Sequence, residues 1–144
     1  MKLGLDIHGV IDSKPEVFSF LSKIVIEGDG EVHIITGGTW NEDLRNLVEE
    51  SGIVYTHSFS VYDHLKSIGA EKMGRIKFPD GTTQKKFDND LWDSIKGEYC
   101  QKNGIDLHID DTEIYSKYFT TPFLLFKSGD DLQKLSHIDI RNLM

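Results

Sequence analysis

Cations are scarce in this chain. Sixteen Lys and Arg stand against 24 Asp and Glu over 144 residues, a formal net charge of −8. An acidic chain repels polyphosphate backbones, so a nucleic-acid partner is not expected, although a small anion needs only a few donors. The single cysteine, Cys100, excludes an internal disulfide and fits a reducing compartment. No apolar run reaches the length of about 18 residues that a membrane span needs, so no membrane partner is expected. The N-terminus places Asp6 and His8 where a signal peptide needs an apolar stretch. Together these absences lead to the expectation of a cytoplasmic protein. Apolar content is not lacking. At 38% hydrophobic and 28% charged residues the chain can build a packed core. Its length suits one domain over residues 1–144.

Short apolar runs alternate with longer amphipathic ones. Leu3 to Ile7, Val32 to Ile35, Ile53 to Phe59, Ile105 to Ile109 and Pro122 to Phe126 read as strands. Ser13-Lys14-Pro15-Glu16 and Thr39-Trp40-Asn41-Glu42 have the spacing of capping boxes, each ahead of a helical apolar pattern. Trp92, Ile95 and Tyr99 share one helical face, and a helix capped by Asp93 would hold Lys96 in its first turn. Phe78-Pro79-Asp80-Gly81 is a turn signal between two partly basic arms, Arg75 to Phe87, which predicts a β-hairpin. The tail from Asp130 reads as one or two short helices. This order predicts a Rossmann-like three-layer α/β/α fold, with a central parallel sheet of about five strands. The segment 70–88 is then a small lid or hairpin insertion.

Ligands in such sheets bind beyond the carboxyl ends of the strands. There the sequence sets Asp6 to Asp12 after the first strand, Thr36-Gly37-Gly38 after the second and Asp110-Asp111 after the fourth. Carboxylates from different strands suit a hard cation such as Mg²⁺. A hydroxyl, backbone N–H groups and an ammonium suit a phosphate. Lys96 is the candidate ammonium, with Lys85 and Lys86 as competitors. His57 and Ser58, late in the third strand, are candidate substrate contacts. Asp12 reads as a helix-start acid, His33 and His108 as satisfied strand residues, and Cys100 as core packing.

In this order the motifs resemble the haloacid dehalogenase (HAD) superfamily, nucleotidase-like. The matching segments are Asp6-Ile7-His8-Gly9-Val10-Ile11-Asp12, Ile34-Ile35-Thr36-Gly37, Lys96 and Ile109-Asp110-Asp111. The resemblance implies a Mg²⁺-dependent phosphomonoesterase acting through an aspartyl-phosphate on Asp6, on a nucleotide or other small phosphate ester. In that reading Asp6, the His8 backbone carbonyl, Asp110 and Asp111 face the metal. Thr36, Gly37 and Lys96 hold the phosphoryl oxygens. His8 stands where the family has a second Asp, and an imidazole with a pKa of about 6.5 can act as both acid and base. The alternatives are a catalytically impaired HAD-fold binding protein, with His8 replacing the acid/base Asp, and a polynucleotide end phosphatase. A small lid leaves an open site, which suits a large substrate or closure by a second copy in a homodimer.

Overall fold

A computed structural model describes residues 1–127. The tail assigned to short helices lies outside the described residues. Five parallel strands form one sheet: β1 (Lys2–Leu5), β2 (Glu31–Thr36), β3 (His57–Ser60), β6 (Leu107–Asp110) and β7 (Phe123–Leu125). Their spatial order is β3-β2-β1-β6-β7, with every neighbouring pair parallel. Strands covered on both faces need apolar residues on both. Leu3, Leu5, Val32, Ile34 and Ile35 are fully buried accordingly.

Helices α1 (Pro15–Glu27) and α2 (Glu42–Glu50) cover one face, where Phe18, Val25 and Val48 pack with Leu3, Leu5, Val32 and Ile34. Helix α4 (Asn89–Lys102) covers the other, where Cys100 packs with Ile35 and Ile105. The short α3 (Val61–Ser67) packs on α4 through Val61, Leu65 and Ile95. The result is the expected three-layer α/β/α architecture. Strand order reverses beside β1, whose neighbours are β2 on one side and β6 on the other, so the crevice of such a fold opens between β1 and β6.

The hairpin stands apart as β4 (Lys72–Lys77) and β5 (Thr83–Phe87), a separate two-stranded antiparallel sheet. Its outer arm is exposed along its whole length. At its root Phe87 is buried against Val61, Leu65 and Ile95 and stacks on Trp92.

Several local expectations are corrected. Neither capping box forms. Pro15 opens α1, and the Ser13 hydroxyl donates backward to the Gly9 and Val10 carbonyls. Ahead of α2, the Trp40 amide is drawn to Asp63, so the helix begins at Glu42, and Asn41 caps it by accepting from the Leu44 amide at 2.9 Å. Strand β3 starts at residue 57 rather than 53, because the Val54 amide is held by Ser22 of α1 and not by β2. Asp88, not Asp93, caps α4, which puts Lys96 about two turns into the helix. There the helix runs very close to the turn after β6: a side chain at Gly97 would collide with the Tyr118 carbonyl.

Candidate functional site

Lys96 is buried, only 3% exposed, and it spans two carboxylates. Its ammonium donates to Asp6 Oδ1 at 3.0 Å and to Asp110 Oδ2 at 2.7 Å. Asp6 directly follows β1, with its amide donating to the Ile109 carbonyl of β6 at 3.1 Å. Asp110 ends β6, so the pair sits on the two strands that flank the crevice. Asp110 is the more fully satisfied acid. His108 Nε2 lies 2.9 Å from its Oδ2, and the Thr112 amide donates to its Oδ1 at 3.1 Å. Tyr115 lies over the ammonium, 5.1 Å from nitrogen to ring centroid, and Trp92 Nε1 donates to the Tyr115 hydroxyl at 3.1 Å.

These contacts drive the two acids apart. Burial raises the Asp6 carboxyl to about 7; Lys96 opposes that shift, and the Asp110 and Asp111 charges add to it. Burial also works against the Asp110 anion, but the His108 and Lys96 contacts outweigh it and hold its carboxyl far below the usual range. For Lys96, burial disfavours the cation and the attraction of Asp6 and Asp110 overcomes it, so the ammonium stays charged.

Asp111 completes the cluster. One carboxylate oxygen from each of Asp6, Asp110 and Asp111 lies within 4.8 Å of the others. Its position depends on Gly9, which has φ of +83°, a region that side chains rarely adopt. A methyl group there would overlap the Asp111 carboxylate.

The remaining predicted site residues are spread more widely. Thr36 is buried at the carboxyl end of β2, on the same sheet edge, and its hydroxyl has no hydrogen-bond partner among the described residues. Gly37 follows it, with its carbonyl accepting from the Tyr62 amide at 3.0 Å. The His8 ring is exposed, with Nδ1 2.9 Å from Asp12 Oδ2, and Asp12 also accepts from the Gly9 amide. The imidazole is thus committed to Asp12 rather than to Asp6. His57 and Ser58 open β3 on its exposed stretch, and His57 pairs in register with His33, about 10 Å along the strand from the Thr36 edge. Sequence reasoning missed His108, Tyr115 and Trp92. The signal for His108 was its spacing: residues 108 and 110 of a strand project to the same face. A wide groove of about 820 Å³ lies elsewhere, between α1 and α2.

No family model matches the chain, and no curated protein matches it. Among solved structures it is similar to a universal stress protein in complex with cAMP, at 10% identity and a TM-score of 0.44, over 90% of this chain and 98% of that one. The expected HAD membership is corrected accordingly: neither a family model nor a curated protein supports the motif resemblance. The HAD-type phosphomonoesterase, with its aspartyl-phosphate on Asp6 and its HAD-fold and polynucleotide-end alternatives, falls with it. The Rossmann-like α/β architecture stands. Among the described residues, no helix is long and apolar enough to cross a membrane.

Proposed function

We propose that the carboxyl edge of the sheet is a binding site for a divalent cation, Mg²⁺ in the first instance, and through it for the phosphate group of a small molecule. One observation carries this reading: three clustered carboxylates face a single buried ammonium. Fully ionised, that set is two positive charges short of neutrality. The raised Asp6 carboxyl accords with that shortage: burial lifts it, Lys96 only partly offsets the lift, and the Asp110 and Asp111 charges add to it. A dication supplies the missing charge.

The donor set fits the ion. Mg²⁺ takes oxygen ligands, needs only one or two carboxylates and keeps several waters that phosphate oxygens can replace. Asp6 and Asp111 are the direct ligands, because Asp110 is already occupied by Lys96, His108 and the Thr112 amide. The free Thr36 hydroxyl at the same edge is a donor for a phosphate oxygen.

Calorimetric titration tests this reading. Mg²⁺ is expected to bind the metal-free chain with one-to-one stoichiometry, and inorganic phosphate to bind only when Mg²⁺ is present. Asp111→Asn is expected to weaken Mg²⁺ binding more than tenfold while leaving the fold intact. Equal Mg²⁺ affinity in Asp111→Asn and the parent would overturn the proposal.

A further inference from the structure

At the other end of the sheet lies a second cluster with different chemistry. Glu31 and His33 are two residues apart on β2, so their side chains share a face. His57 of β3 is the register partner of His33. The two rings stack 4.2 Å apart at 7°. One ligand atom from each of Glu31, His33 and His57 lies within 4.8 Å of the others.

We propose that Glu31, His33 and His57 form a site for a transition-metal ion of the zinc type, separate from the carboxylate edge. Two imidazoles and one carboxylate are a borderline-soft donor set that favours Zn²⁺ over Mg²⁺. Three protein ligands leave a fourth position to water or a small ligand.

The surroundings are those of a held ligand. His33 is 1% exposed, and its Nδ1 lies 2.6 Å from the Tyr99 hydroxyl. Metal-binding histidines are commonly fixed through the second ring nitrogen in this way. Its Nε2 points at Glu31, 2.8 Å from Oε1. In the metal-free state the Tyr99 hydroxyl donates to Nδ1 and Nε2–H donates to the carboxylate. On metal binding the neutral ring changes tautomer: its single proton leaves Nε2 to free that lone pair and one is taken up from water at Nδ1, which donates to the Tyr99 oxygen while the Tyr99 hydroxyl hydrogen turns away. Tyr99 can play both parts without ionising, because burial first and neighbouring groups second raise its phenol to about 12.

The entry path is the outer side of the cluster. His57 is half-exposed and the Glu31 side chain is one-third exposed. Bonds of about 2.0–2.2 Å in a tetrahedral site need ligand atoms roughly 3.4 Å apart, so Glu31 Oε1 must open slightly from His33 Nε2, now at 2.8 Å, and close slightly on His57 Nδ1, now at 3.8 Å. The exposed His57 ring turns out of its stack to do so. Lys2, 3.6 Å from Glu31 Oε2, is the cation that the metal displaces.

Co²⁺ titration of the untagged full chain, followed by visible absorption, tests the site. One equivalent is expected to give the bands of low-coordinate cobalt, with Zn²⁺ abolishing them. His57→Ala and Glu31→Gln, both outside the core, should each weaken Co²⁺ binding more than tenfold. Tyr99→Phe should weaken it by about tenfold, as a lost outer partner does. Asp111→Asn should leave the cobalt bands unchanged, which separates this site from the Mg²⁺ edge. Absence of the bands in the parent chain, or their persistence in His57→Ala, would overturn the inference.

Discussion

The two ends of one parallel sheet carry opposite kinds of polar cluster. Where the strands end, Asp6, Asp110 and Lys96 are buried and locked together by charge. Where they begin, Glu31 and His57 remain open to water, and only His33 is enclosed. The difference lies in what covers each end. Tyr115 and Trp92 close over the ammonium at the first, whereas no described aromatic covers the outer side of His57 at the second. Burial turns a set of charges into a strained electrostatic arrangement; exposure leaves a set of ligands that can still rearrange. The first is therefore costly to disturb and the second cheap.

Removing the ammonium breaks that contrast most severely. Lys96→Met leaves two buried carboxylates without their cation, and stability to urea should fall by about 3–5 kcal/mol. An unchanged midpoint would mean that the acids are not buried as charges. Next in size is Gly9→Ala. Its positive φ and the clash with Asp111 should cost about 1–3 kcal/mol, and Mg²⁺ heat should vanish from the titration.

The third effect has the opposite sign. Asp6 holds a proton in the folded state up to about pH 7, whereas an ordinary carboxyl of the unfolded chain loses its proton at roughly pH 4. Between those values the folded chain binds more protons than the unfolded one, so this group lowers stability as pH rises through the window. Asp6→Asn lacks the loss and should be more stable than the metal-free parent by about 1–2 kcal/mol at pH 8. The gap should shrink toward pH 4, and a pH-independent gap would contradict the assignment. Asp110, with its carboxyl lowered, works the other way: its contribution is present above the ordinary carboxylate range and is lost only in strong acid. Smallest is the paired substitution Lys85→Ala and Lys86→Ala on the exposed hairpin, which should change stability by no more than about 0.5 kcal/mol. A larger loss would show that the hairpin is held by more than its root.

Much of this arrangement was legible in the sequence. The apolar runs identified all five sheet strands, and the acids and hydroxyl after them fell at one edge. The Phe78–Gly81 turn marked the hairpin. Boundaries were less legible, because tertiary hydrogen bonds set them: Ser22 claims the Val54 amide and Asp63 the Trp40 amide, neither of which is a local signal. A cap at Asp93 would put Lys96 in the first turn, yet Asp88 is the cap and Lys96 reaches the carboxylates from mid-helix, since packing against the sheet decides its direction. The pairing of His33 with His57 depends on strand register across 24 residues, which no single segment encodes. The family resemblance was carried by short motifs that many α/β sheets can place at their carboxyl edge.

Gly97 gives the last consequence. The missing side chain beside Lys96 lets α4 lie directly on the backbone of the Tyr118 turn. It thereby acts as a spacer of zero thickness, setting how far the neighbouring ammonium can extend into the crevice. Thickening the spacer by one methyl would lift the helix and retract its cation, so the charge balance of the whole edge is governed by an atom that is not there.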